Sequence, residues 1–344
     1  MNMFDLVTSS NMVAYWIEKD LNDVTVGDQL FPFKKEIGVE LDWIKGANNQ
    51  VVGLRLSAYD SKAIRRDRQG IEKVKTDMPF FKESMVIDEK MRQQLNTLIQ
   101  TQNEDLIRAI VARIFDDEVK LIKAAYETVE RVRMQLLTTG TVTLASNGQA
   151  YTYDYGMPAE NKITVQTSWT SPSADIIKDI TTAQNLARKK GYKLTRAMCN
   201  TNLLSALVNN TSIKNRIYVL ANGNVTITAK EVQRYIENET GISIYANDNG
   251  YVDEQGQFTN YFADDVFVMF PDGPLGETHY GTTPEESDLM TGATDAEVSL
   301  VNNSVAVTTT KETDPVNVTT KVSMVMLPSF EQAEGVFIFD TSAS

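Results

Sequence analysis

Few residues in this chain are able to do covalent or acid–base chemistry. There is one cysteine, Cys199, and one histidine, His279. A thiolate–imidazole dyad needs both groups side by side, and no local signature surrounds either residue. Cys199 ends the strand-like run KLTRAMC and reads as a small core residue, and His279 reads as a sheet or loop residue. One cysteine and one histidine also fall short of a transition-metal ligand set. Asp116, Asp117 and Glu118 are adjacent in a helical stretch. Successive helical residues point about 100° apart, so these acids cannot converge as a catalytic pair and read as a solvated or interface-facing charge run. NDNGYVDEQG (247–256) has calcium-loop residue types, but Tyr245 stands where the first acidic ligand belongs. Asn249-Gly250 there reads as a hairpin turn. Tyr151, Tyr153 and Tyr155 alternate, yet Thr152 and Asp154 lie between them, where a nucleic-acid stacking platform wants cations. No phosphate-binding or nucleophile-elbow motif occurs. The expectation is therefore no catalytic group, no metal and no cofactor.

One segment is rich in charge without offering chemistry. KAIRRDRQGIEKVKTDMPFFKE (62–83) contains Lys62, Arg65, Arg66, Arg68, Lys73, Lys75 and Lys82 against Asp67, Glu72, Asp77 and Glu83. The chain as a whole carries −13. From Tyr235 to Thr310 there is no Lys or Arg but fourteen acids, so that segment is −14 and the remainder near +1. The acidic segment cannot hold phosphates. It reads as solvated surface, or as a face that avoids polyanions or receives a basic partner. In the basic stretch the interleaved acids favour a protein partner over nucleic acid.

These features need elements to carry them. With 344 residues, 42% of them apolar and 23% charged, the chain is long enough for a large core or two lobes. MNMFDLVTSSNM has neither the basic start nor the apolar core of a signal peptide, and no apolar run approaches the ~20 residues of a membrane span. One cysteine rules out an internal disulfide and suits a reducing compartment. SSNMVAYWIEK predicts a short helix capped by Ser9 or Ser10. EIGVELDWIK (36–45) places Ile37, Val39, Leu41 and Trp43 on one face of a strand, and VVGLRLSAY (51–59) alternates likewise. Residues 46–83 then read as a long two-stranded excursion. An isolated ribbon is marginal in water, so it is expected to lie on something else. The period of 3.6 predicts a helix over about 103–139, roughly 50 Å long. Asn147-Gly148 predicts a hairpin within 140–156. Helices are expected over 175–191, NLLSALVNN and 228–241, the last with a Thr228–Glu231 capping box. Strands are expected in KLTRAMCN, ISIYAND, DVFVMFP and the β-rich tail, and a hairpin in VDEQGQFTNYF.

The order and the residues together resemble a known family. LFPFKKEIGVELDWIKG (30–46), LSAYDSKAIRRDRQGIEKVKTDMPFFKE (56–83), ARIFDDE with RVRMQLLTTG (112–118, 131–140) and KVSMVMLPSFEQAEGVFIFD (321–340) are similar to lambda-E-like major capsid proteins of tailed bacteriophages. The resemblance implies an α+β fold of the HK97 type. Residues 1–45 would be the N-terminal arm and first strand, and 46–83 the extended E-loop. Residues 84–170 with 301–344 would form the P-domain around the spine helix, and 171–300 the mixed α/β A-domain. It further implies a non-enzymatic shell protein that builds hexamers and pentamers of an icosahedral head around double-stranded DNA. The partners implied are copies of itself, a separate scaffolding protein and a portal protein, with non-specific contact to DNA. A decoration protein is left open, and no membrane is involved. The location implied is the virion, after assembly in the bacterial cytoplasm.

On this reading the basic excursion lies across a neighbouring subunit. Phe80 and Phe81 would anchor it by apolar burial. Lys62, Arg65, Arg66, Arg68, Lys73, Lys75 and Lys82 would pair with a neighbour's acids and fix register. Two other classes stay open from sequence: a nanocompartment shell of the same fold around a protein cargo, and a soluble α/β enzyme. Gene neighbours discriminate the first, and a converging polar site the second.

Overall fold

A computed structural model of the chain describes residues 7–19, 24–45, 72–87, 89–90, 93–94, 97, 104–146, 148–218, 226–253, 255–292, 296–314 and 316–342. The helices are α1 (Ser9–Glu18), α2 (Val26–Leu30), α3 (Glu104–Thr139), α4 (Ile176–Lys189), α5 (Thr201–Asn209), α6 (Thr211–Ile217), α7 (Ala229–Thr240) and α8 (Pro284–Thr291). The first strands are β1 (Phe33–Lys35), β2 (Glu40–Lys45), β3 (Glu72–Asp77), β4 (Phe80–Ile87), β5 (Thr141–Ser146), β6 (Gln149–Asp154), β7 (Lys162–Thr164), β8 (Leu194–Cys199) and β9 (Ser243–Ala246). They are followed by β10 (Gly250–Val252), β11 (Phe258–Asn260), β12 (Val266–Pro271), β13 (Thr278–Tyr280), β14 (Glu297–Val301), β15 (Val305–Thr313), β16 (Val316–Pro328) and β17 (Phe337–Asp340). Among the described residues no helix is long and apolar enough to cross a membrane.

The chain forms two compact units. The first comprises Met1–Asp42, Lys75–Val132 and Glu277–Ser329; the second comprises Trp43–Val74, Arg133–Gly276 and Phe330–Ser344. This division cuts across the expected segments. Residues 277–300, expected in the A-domain, join the first unit, while 133–170 and 330–344, expected with the P-domain, join the second, so the division falls within α3 after Val132. Local patterning reveals a strand but not the sheet that takes it up.

The first unit is built on a six-stranded sheet of order β1-β13-β16-β15-β14, with β4 also on β16. β16 is 13 residues long, and its Val/Thr/Met-rich sequence suits a pleated, packed surface. Exposure alternates over Asn317–Val322, whereas Ser323–Pro328 is buried on both faces. One edge of β16 pairs with β4 over Val318–Val325 and with β13 over Met326–Pro328. The face carrying Val318 and Ile87 packs with Ile114 of α3. The 36 residues of α3 give a rod of roughly 54 Å. Glu130 on α3 accepts from Thr25 Oγ1 at 2.7 Å and from Gly27 N at 3.1 Å, which fastens α2. Thr8, one residue before the expected pair, caps α1.

The second unit holds a five-stranded sheet of order β7-β17-β12-β8-β9. β12 is antiparallel to both β17 and β8, while β7 on β17 and β9 on β8 are parallel. Its core joins Ile180, Ala183 and Ala187 of α4, Leu203 and Leu207 of α5 and Val232 and Ile236 of α7 to Phe267, Phe337 and Phe339. Trp169 closes the aromatic cluster, 5.0 Å from Phe267 in an edge-on arrangement. Thr228 and Glu231 form the expected capping box. The β5–β6 hairpin closes at Ser146↔Gln149 beside Gly148, which has φ 74°. In the other hairpin Gly250 lies within β10, and the turn spans Asp253–Gln257 instead of Asn249-Gly250. α2, α6 and α8 were not foreseen.

Glu118 departs from the expected solvated run. It is 1% exposed, and its Oε1 accepts from Thr320 Oγ1 at 2.8 Å. Oε2 finds no partner among the described residues, nor does the hydroxyl of Thr309, the residue paired with Thr320 across β15 and β16. Burial pushes the carboxyl up to about 7, with Asp117 adding to the rise and the Thr320 bond opposing it. A carboxyl raised on folding stabilises the fold at low pH, and that contribution is lost as pH climbs through its folded value. Unfolding free energy of dissociated subunits should fall between pH 5 and 8.5 by on the order of 1–3 kcal/mol. Glu118→Gln should flatten that decline in urea titrations; an unchanged slope would show that Glu118 is not its source.

Candidate assembly interface

The expected strand over 51–59 lies outside the described residues; the described return strand of the excursion, β3, pairs with β2, which precedes it, to form a two-stranded stalk. Leu41 and Trp43 of β2 are buried, and Trp43 lies 5.7 Å from Tyr155. Ile37 and Val39 were expected on the same buried face, but they precede the strand and are 93% and 49% exposed. Their segment instead runs beside β13. Glu36 N donates to Tyr280 O, and Thr282 N donates to Gly38 O, both at 2.8 Å. Across the stalk, Met78 N donates to Val39 O at 2.8 Å. These chains converge on Gly281, whose N donates to Val325 O. A Cβ there would lie 2.6 Å from Gly38 O, 2.7 Å from Met78 Cε and 2.8 Å from Val325 Cγ1, so only glycine allows the stalk base to close.

The predicted interface residues fall into three groups. Lys62, Arg65, Arg66 and Arg68 lie outside the described residues, and of Lys73 only the backbone, in β3, is described. Lys75 pairs within its own subunit, with Nζ 2.6 Å from Glu40 Oε2. That bond raises the ammonium above its ordinary range, though both groups are solvated and the pair adds little stability. Phe80, Phe81 and Lys82 lie in β4 on the six-stranded sheet, beyond the stalk that the sequence extended to residue 83. Period-2 geometry separates them. Phe81 shares a face with Met85 and the buried Ile87 and is itself half-buried. Phe80, Lys82, Ser84 and Val86 share the other face, and all are exposed. Lys82 Nζ sits 5.6 Å from the Phe80 ring centroid, a cation–π distance. Among the described residues no strand covers the outer edge of β4.

The result is bare apolar surface in the first unit: Phe33 at 50%, Ile37 at 93%, Val39 at 49%, Phe80 at 40% and Val86 at 52% exposure. Isolated exposed apolar residues are ordinary; their number on this sheet and stalk base makes this the candidate contact surface. The chemistry-bearing residues do not compete for this role. Cys199 is fully buried in the second unit's core, its thiol pushed up to about 12 by burial. His279 is buried in β13 of the first unit, with Nδ1 3.1 Å from Glu36 Oε1 and Nε2 3.2 Å from Ser329 Oγ. Burial, then Lys34, holds the imidazole below its ordinary value despite Glu36.

The family described as phage major capsid protein E matches residues 8–341. The chain belongs to that family. As a phage major capsid protein it forms the shell of the virion from copies of itself. The fold agrees. The capsid protein of an Escherichia coli CFT073 prophage, described as putative, superposes with a TM-score of 0.60 at 14% identity, covering 97% of this chain and 99% of that one. A phage-related protein of Bordetella bronchiseptica RB50 gives 0.53 at 13%, over 98% and 97%. The capsid asymmetric unit of cyanophage A-1(L) gives 0.50 at 10%, over 92% and 91%. At these identities the likeness is one of fold, the α+β HK97-type capsid fold. No curated protein matches the sequence.

Gly281→Ala tests the stalk base, because the Gly38 carbonyl it would strike belongs to the backbone. Overpacking of this kind costs about 1–3 kcal/mol, so calorimetry of this capsid protein should show Tm lowered by several degrees. An unchanged Tm would mean that the strands do not converge there.

Proposed function

We propose that this capsid protein assembles as hexamers and pentamers into the icosahedral head of a tailed phage, which encloses double-stranded DNA. The observation that carries this reading is the family match across nearly the whole chain. In this reading the first unit serves as the P-domain around its spine helix, the second as the A-domain, and the excursion between β2 and β3 as an E-loop lying on a neighbouring subunit. Phe80, Lys82 and Val86, bare along the β4 edge, would receive or join that contact. Arg65, Arg66 and Arg68 would pair with acids of the neighbour. A scaffolding protein and a portal complete the proposed partners, and assembly takes place in the bacterial cytoplasm. The role is mechanical enclosure, with no reaction catalysed.

Weak units suit such a shell. Full burial of a Val, Ile or Phe side chain stabilises by roughly 1.5–3 kcal/mol, and a rim ion pair by about 0–1 kcal/mol. Hundreds of such contacts close a shell while each remains reversible. Negative-stain microscopy of the purified protein, alone and with its upstream gene product, should show closed particles; a monodisperse monomer under both conditions would contradict the reading. Arg65, Arg66 and Arg68 changed together to Glu should leave a soluble folded subunit that forms no closed shells. Normal particles from that variant would remove the loop from assembly.

A further inference from the structure

The second unit carries a groove and a projection that its own fold leaves unmatched. The groove, about 610 Å³, lies between α7 and β9, which is an edge strand of the five-stranded sheet. Lys230 and Arg234, one helical turn apart, line it and are exposed. The acids beside them are engaged locally: Glu231 accepts from Thr228 N and Oγ1, and Glu237 accepts from Ser243 Oγ at 2.7 Å. No ion pair within the subunit takes up Lys230 or Arg234 among the described residues. Gln233 Nε2 donates to Ile244 O at 3.1 Å, which closes that carbonyl of the edge strand to an incoming strand. The groove therefore offers side chains: two cations and the Tyr245 ring, 54% exposed.

The projection is the β10–β11 hairpin. Its turn is stiffened by Asp253, whose Oδ1 accepts from Gln255 N and Gln257 N. Directly above the turn, Val252 and Phe258 are cross-strand partners, 64% and 62% exposed. Two large apolar side chains held bare on a rigid turn form a knob. The knob sits in the segment 235–310, which has no Lys or Arg, so no cation on the hairpin opposes Lys230 and Arg234. A cation over the face of Phe258 and Tyr245 packed against Val252 would match the two surfaces in charge and in kind.

We propose that the β10–β11 hairpin of one copy docks in the α7–β9 groove of the next. Knob and groove are different surfaces, so the contact is head-to-tail, and identical repetition closes a ring within each capsomer. The inference rests on the shell reading above and gives that shell a contact separate from the stalk.

Val252→Cys combined with Tyr245→Cys, treated in assembled shells with a short bis-maleimide, tests it. Cys199 is fully buried and does not compete. Denaturing gels should show a ladder ending at five and six linked copies, and each single variant should give none. Shells that form but yield no linked copies would overturn the proposal, as would a pattern stopping at dimers, which indicates reciprocal contact. As a second measurement, Phe258→Ala and Lys230→Glu with Arg234→Glu alter only exposed side chains. Each should keep the native Tm while losing shells in sedimentation; normal shells from either would overturn the docking. A wild-type chain that forms no shells would instead sink the shell reading, so the two failures are distinguishable.

Discussion

A two-stranded ribbon cannot bury its own side chains, and the first unit of this protein is organised around the root of one. The root of the stalk is held by the Glu40–Lys75 pair, by the bond from Met78 N to Val39 O and by buried Leu41. None of these reaches Ile37 or the outer face of β4. The unit instead stiffens what surrounds them. β16 supplies one edge shared end to end by β4 and β13, and Gly281 allows the Gly38 backbone to close against it. A rigid root presenting bare apolar residues suits a subunit whose remaining burial comes from its copies, since preorganised contacts lose less entropy on association.

Charge follows the same division. Three acids from the cation-free segment are paired within the first unit by lysines from elsewhere in the chain. Glu277 meets Lys34 at 2.8 Å, Glu286 meets Lys35 at 2.7 Å, and Glu285 meets Lys321 at 2.5 Å. Glu285 and Glu286 are largely buried, so these pairs are screened less than the surface charges. The surplus that sets the chain's net charge lies elsewhere, at solvated positions such as Glu239 and Asp288. Such a surface weakens non-specific attraction to polyanions.

Much of the fold was legible because it is local. The 3.6 period placed α3 within one residue of its ends, and the Thr228–Glu231 box and the hairpin turning at Gly148 were each written in nearby residues. Three things were not legible. The strand before Trp43 was read as starting at Glu36 because Ile37 and Val39 keep the alternation, yet hydrogen bonding to Tyr280 and Thr282 bends that segment away. The sheet partners of β17 and β13 come from distant parts of the chain, which no window of sequence contains. Glu118 looked like one of three surface acids, and only the register of Thr320 against α3 shows that it is interior. Of the interface residues, the apolar character of Phe80 and Phe81 was visible, but alternation on β4 gives them opposite faces. Ile37, the most exposed large apolar residue among those described, was missed because exposure is the one property a periodic pattern hides.

Hydrogen–deuterium exchange compared between dissociated subunits and closed shells tests the central claim most directly. The amides of Ile37 and Val39 and the outward-pointing half of those in β4 have no partner among the described residues of the subunit, so they should exchange rapidly there and become strongly protected in the shell, whereas the β4 amides bonded to β16 stay protected in both states. Equal exchange of the first set in the two states would mean that these residues stay uncovered on assembly, and that the shell is joined through other surfaces.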